Sequence, residues 1–208
     1  MVIKNSFIRS FDDTVTLKAI YGWNQPIENI VTEHCVLWCG WGRNCEIGLE
    51  TDAPEYRNIV FRDCDLIHNS SACIDIQNGS GGEIHDILFE DLRVEYQATT
   101  LPSQIQRSDD QRYHADGMGL PRLIVAENKT FHTYTSFGDI HDITYRNIQV
   151  FAEEGVPAPK IQFISRDPQI ILRRFNINNV TWNGTPVPMN FFDITIENAK
   201  EIKWENER

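Results

Sequence analysis

The sequence predicts an all-β fold, a single-stranded parallel β-helix. Three observations carry that expectation. Similar eight-residue segments return at a near-constant interval, apolar residues alternate within them, and helix-like stretches are few.

The segments are MVIKNSFI (1–8), IVTEHCVL (30–37), IVFRDCDL (59–66), ILFEDLRV (87–94), ITYRNIQV (143–150), FNINNVTW (175–182) and ITIENAKE (194–201). Positions one, three and six are mostly apolar, a period-two pattern that means strand. Position five is always polar: Asn5, His34, Asp63, Asp91, Asn147, Asn179 and Asn198. The first three steps between these positions are nearly equal. The step from Asp91 to Asn147 is twice the one before it and reads as two coils. The step to Asn179 is slightly longer than the first ones, and the last, to Asn198, is shorter. A β-sandwich of similar strands gives no reason for that regularity. Coils of this length, each holding several short strands, stack about 4.8 Å apart and bury a continuous core. The polar residue at position five marks a bend, and the stacked bends form a ladder expected to satisfy the bend amides.

After each bend comes a second alternating strand: TVTLK (14–18), CEIGLE (45–50) and CIDIQ (73–77). Val15, Leu17, Cys45, Ile47, Leu49, Ile74 and Ile76 are expected to point inward. The outward row is then Thr14, Thr16 and Lys18, followed by Glu46, Gly48 and Glu50, and by Cys73, Asp75 and Gln77. One domain spans 1–208, with a long loop insertion at about 97–138. That stretch contains the breakers Pro102, Gly117, Gly119 and Pro121 and carries His114, Asp116 and His132. It reads either as the wall of a binding groove or as a decorative insertion.

Composition narrows the function. The chain carries a net charge of −11, which repels phosphate backbones and makes nucleic acid an unsuitable partner. No apolar run reaches membrane-spanning length, so no membrane partner is expected. The first ten residues lack the apolar core of a signal peptide. The chain is therefore expected either to stay inside the cell or to lack the start of a longer protein. Cys35, Cys39, Cys45, Cys64 and Cys73 are an odd set without metal-ligand spacing, and they read as small buried hydrophobes. No metal or other cofactor is expected.

The candidate site begins at Asp12 and Asp13, adjacent acids just before a strand. Adjacent carboxylates repel, which pushes their pKa values apart as acid–base catalysis requires. The alternative is a solvated turn, and Asp109 and Asp110 are read that way. Asp12 and Asp13 differ because later coils bring Trp38, Trp41, Arg43, His68 and Asn69 beside them. Rings next to carboxylates and amides suit a sugar, whose apolar faces stack and whose hydroxyls need polar partners. The expected catalytic residues are Asp12 and Asp13. Lys18, Trp41, Arg43, Glu46, His68 and Asp75 are expected to form the substrate groove, with Arg43 and His68 nearest the pair.

VIKNSFIRSFDDTVTLKA, CGWGRNCEIG and RNIVFRDCDLIHNSSACIDIQNG resemble the right-handed parallel β-helix glycoside hydrolases, including polygalacturonases and the dextranase/isopullulanase family. The resemblance covers about residues 1–95. It implies a right-handed helix, inverting hydrolysis of a polysaccharide, and a secreted or periplasmic location. Asp12 and Asp13 match two of the family's three catalytic aspartates. The third is expected one coil earlier, whereas the chain begins at Met1, less than half a coil before Asp12. The chain thus reads as the C-terminal part of a larger enzyme, or as a shortened relative completed by self-association through its uncapped N-terminal end. CGWGRN lacks the polygalacturonase histidine, and CIDIQ places Asp75 where that family holds a substrate-gripping cation. A neutral glycan is therefore favoured over galacturonan. Two rivals stay open. One is a non-catalytic glycan-binding or structural solenoid. The other is a calcium-dependent lyase using Asp12, Asp13 and Lys18.

Overall fold

The structure, a computed structural model, describes residues 1–20, 22–98, 103–105, 108–112, 114–116, 119–131 and 136–206, with 103–105 and 114–116 described as backbone only. It is a parallel β-solenoid of about six turns. One sheet stacks Val2–Lys4, Ile27–Glu33, Glu55–Ile67, Glu83–Tyr96, Ile140–Ala152, Leu172–Trp182 and Ala199–Glu205. Phe7–Ser10 and Val36–Cys39 continue its first two rungs past the bend. The second sheet stacks Val15–Ala19, Arg43–Thr51, Ala72–Asn78, Arg122–Asn128, Lys160–Ser165 and Asp193–Glu197. Within both stacks neighbouring rungs pair in parallel, so each coil satisfies the backbone of the next.

The polar fifth position has a backbone cause. Asn5, His34, Asp63, Asp91, Asn147 and Asn179 all have φ between 49° and 56°, the left-handed region. Among residues with a side chain, Asn, Asp and His enter it most readily. Their side chains bond one another: His34 Nδ1 lies 2.6 Å from Asp63 Oδ2, and Asn147 donates to Asp91 at 2.8 Å. Asn179 in turn donates to Asn147 at 2.9 Å. The expectation that these side chains satisfy the bend amides is corrected. The Asn5 and His34 amides donate to the carbonyls of Glu33 and Arg62 on the following rungs. From the second coil on, a second bend precedes the first, at Asn29, Asn58, Asp86, Asp142, Arg174 and Glu201, with φ between 52° and 58°.

Two parts of the repeat are also corrected. The long step from Asp91 to Asn147 is one coil, because Leu92 pairs directly with Ile148. The second-sheet strand of that coil is Arg122–Asn128, and the stretch between Tyr96 and Arg122 carries a separate antiparallel pair, Ser103–Ile105 with His114–Asp116. Asn198 leaves the ladder, since Asp193–Glu197 stacks on Lys160–Ser165 in the second sheet. Asn178 pairs with Glu205, so the column continues at Asn206 and the last coil keeps close to the common length. Alternation looks alike in both sheets, and this is why the segment at 194–201 passed for a first-sheet rung. Pro102, Gly117 and His132 lie outside the described residues, and at His114 and Asp116 only the strand backbone is described.

The core is a column of like on like. Phe61, Phe89 and Tyr145 stack face to face, with centroids 5.3 Å apart at each step. Cys35 and Cys64 share a column with Leu92, and all five cysteines are free and buried. On the outer face Arg62 pairs with Glu33, and Arg146 with Glu90, in a column of alternating sign.

Candidate active site

The turn between strands Phe7–Ser10 and Val15–Ala19 holds Phe11, Asp12 and Asp13. The next coil passes close against it. The Gly40 amide donates to Ser10 O at 2.9 Å, and the Thr14 amide to Arg43 O at 2.8 Å. A Cβ on Gly42 would sit 2.7 Å from Asp12 Oδ1 and 2.6 Å from the Asp13 amide nitrogen, with Asp13 Oδ1 nearer still. Only glycine fits there, so Gly42→Ala is expected to cost about 1–3 kcal/mol of stability in a urea titration. One point lying so near both Oδ1 atoms also means that these two atoms lie closer together than the about 6.5–9.5 Å that inverting hydrolysis wants between its carboxyl groups.

The two acids part company. Asp12 is exposed, accepts the Asp13 amide at 3.0 Å and joins no ion pair among the described residues. The Asp13 side chain is 8% exposed and lies at the centre of a cluster from three successive coils. Lys18 Nζ lies 3.0 Å from Asp13 Oδ2, 3.9 Å from Glu46 and 3.4 Å from Glu50. The Arg43 amide donates to Asp13 Oδ1 at 3.1 Å. The Arg43 guanidinium reaches Asp13 and Glu46 at 3.6 Å and Asp75 at 3.0 Å. Register explains the gathering: Thr16 pairs with Glu46, and Glu46 with Asp75.

The outward row therefore assembles as the sequence implies, but it is not a solvated face. Glu46, Asp75 and Gln77 are 0% exposed, as is Cys73, whose thiol lies against the Tyr96 hydroxyl. Alternation tells inside from outside; it does not tell what covers the outside.

Burial splits the protonation states. It pushes Glu46 up, helped by a hydrogen bond with Asp13 and by the charges of Asp13 and Asp75, to about 9. Burial also raises Asp75, to about 6, against the pull of Arg43 and more distant cations. Burial acts to raise Asp13 too. The hydrogen bonds from Glu46 and Lys18, with the Lys18 and Arg43 charges, outweigh it and hold Asp13 below the usual range. At neutral pH Asp13 is ionised and Glu46 keeps its proton. Glu46 Oε1, Glu50 Oε2, Asp75 Oδ1 and Gln77 Oε1 are buried without a hydrogen-bond partner among the described residues. The sequence reading put Glu50 and Gln77 on the same row but not in the site.

The remaining residues divide. Trp41 stacks on the exposed Phe11 ring, with centroids 6.3 Å apart and planes 6° apart, forming a flat platform beside the turn. His68 is corrected as the near neighbour of the pair. It packs edge-on against Trp38 at 4.7 Å, and the charges that act on its titration are Glu95 and Arg9, not the aspartates. Its backbone turns through φ 52°, which carries the ring onto the Arg9 and Trp38 side of the coil.

No protein-family model matches this chain, and no curated protein or solved structure matches it either.

Proposed function

We propose that the chain acts on a polysaccharide as a glycoside hydrolase, with a neutral glycan favoured over galacturonan. The observation that carries this reading is the Asp13, Glu46 and Asp75 cluster, in which one carboxyl is ionised and another protonated. Acid–base chemistry on an acetal needs such a split. The Phe11 and Trp41 platform offers a sugar ring an apolar face. Asp75, an acid where a carboxylated sugar would need a cation, disfavours galacturonan. In this reading Asp13 takes the proton of the attacking water. Asp12 lies too near Asp13 to leave room for both water and leaving oxygen. Asp75 stands across the Arg43 guanidinium, and with its pKa raised to about 6 it is the proton donor under mildly acidic conditions. Glu46 holds Asp13 ionised through their hydrogen bond, and Lys18 and Arg43 neutralise the surplus charge. Asp13 is already paired with Lys18 and Arg43, which argues against the lyase.

A second reading, a non-catalytic glycan-binding solenoid, is favoured by the full burial of Glu46 and Asp75. The test is reducing-sugar release from a panel of neutral and acidic polysaccharides. Asp13→Asn and Asp75→Asn are each expected to lower kcat about 10²–10⁴-fold, and Asp12→Asn to act mainly on KM. Wild type that binds glycan yet releases no reducing sugar establishes the second reading instead.

A further inference from the structure

Away from that cluster, the sequence contains one short phrase twice. Glu83-Ile84-His85-Asp86-Ile87 returns as Asp139-Ile140-His141-Asp142-Ile143, with the same separation as Asp91 and Asn147. The structure stacks the two copies on adjacent rungs, Ile84 on Ile140 and His85 on His141. The imidazoles lie face to face with centroids 5.1 Å apart and planes 14° apart.

Two sets of ligand atoms result, each within 4.8 Å of one another: Glu83, Asp139 and His141, and Glu55, Glu83 and His85. Glu83 belongs to both. Its Oε1 lies 2.7 Å from His141 Nε2. The opposite nitrogen of each ring is already engaged. His85 Nδ1 lies 2.8 Å from Asp86 Oδ2, and His141 Nδ1 lies 2.6 Å from Asp142 Oδ2. Asp86 and Asp142 take up the left-handed bend, with φ 53° and 54°, and so turn their carboxylates back onto the rings. A carboxylate on Nδ1 is the arrangement that orients histidines on metals; here His141 Nε2 faces the Glu83 carboxylate, which an ion would bridge, and Arg174 Nη2 lies 3.1 Å from His141 Nδ1 beside Asp142.

We propose that Glu83, Asp139 and His141, with His85 as fourth donor across the shared Glu83, bind a divalent transition-metal ion of the zinc class. Two imidazoles and two carboxylates suit zinc-class ions, whereas calcium and magnesium require mostly oxygen donors. Binding draws the donors inward to about 2.0–2.2 Å from the ion. It also displaces Arg173 from Asp139, while Arg57 stays with Glu55 and Arg174 with Asp142. The ion would tie together two coils whose connection is the longest in the repeat.

The test titrates zinc chloride into the chelator-treated full chain by calorimetry, with magnesium and calcium chloride as controls. One zinc ion per chain is expected, with no heat from the controls. His141→Ala is expected to weaken binding at least about 100-fold and His85→Ala about 10-fold, in line with loss of a ligand. Glu83→Gln, which keeps the shape, is expected to weaken it comparably to His141→Ala. Melting of the metal-free variants checks that each is folded. Cobalt(II) gives an independent readout: an intense visible band in wild type, lost in His141→Ala. Absence of zinc binding at about 100 µM overturns the proposal. So does zinc binding that survives in the folded histidine variants, which assigns the ion to other groups.

Discussion

Phe89→Ala is expected to destabilise the protein by about 3–5 kcal/mol. Phe89 is fully buried between Phe61 and Tyr145, and both of its ring faces are covered at 5.3 Å. Truncation leaves a void in the middle of the stack. The flanking rings cannot close it, because their own rungs are fixed by backbone pairing on both sides. Urea denaturation measures the loss as a shift in midpoint. In a solenoid each coil touches only its neighbours. A second, earlier transition in the variant would therefore show that the void separates the coils on its two sides. A change under about 1 kcal/mol would mean that the column relaxes freely and is not a packed core.

Arg43→Met is expected to cost about 3–5 kcal/mol near neutral pH. Arg43 sits among Asp13, Glu46 and Asp75, and its loss leaves buried carboxyls with Lys18 as the nearby cation. The sign of the pH dependence follows from Glu46. Its folded pKa of about 9 stands above the ordinary carboxyl value of 4.5. The folded state keeps a proton that the unfolded chain gives up. This contribution is fully present below about pH 4.5 and is lost progressively as pH rises toward 9. Asp75, raised to about 6 from 3.8, adds the same sign over a narrower window. The cost of Arg43→Met is thus expected to be smaller at pH 5 than at pH 8. Glu46→Gln, which keeps the shape and cannot ionise, is expected to flatten the wild-type decline between pH 5 and 9. Chemical denaturation at a series of pH values measures both; an unchanged slope in Glu46→Gln would show that Glu46 is ionised in the folded protein.

These expectations also mark what could be read from the residues alone. The bends were legible because left-handed backbone selects Asn, Asp and His, a local rule that needs no partner. The meeting of Lys18, Arg43, Glu46 and Asp75 was legible because coil length fixes which side chains stack. Asn198 was misplaced because alternation does not say to which sheet a strand belongs. The span from Asp91 to Asn147 was ambiguous because loop length and coil number enter the same sum. The burial of Glu46 and Asp75 depends on what lies over the face, which no strand pattern encodes. His68 was assigned to the wrong neighbours because one residue past a bend changes the direction of a side chain. The doubled acid-Ile-His-Asp-Ile phrase was visible throughout. Cysteine and histidine spacing within one segment does not reveal it, since its halves meet only across rungs.

The long coil between Asp91 and Asn147 is twice the length of its predecessor, yet the rungs on either side stay in step. Closure entropy grows only with the logarithm of length, about 0.6 kcal/mol per doubling. Foreign peptides could therefore be grafted at such a connection with little thermodynamic penalty, which makes the column a usable display framework.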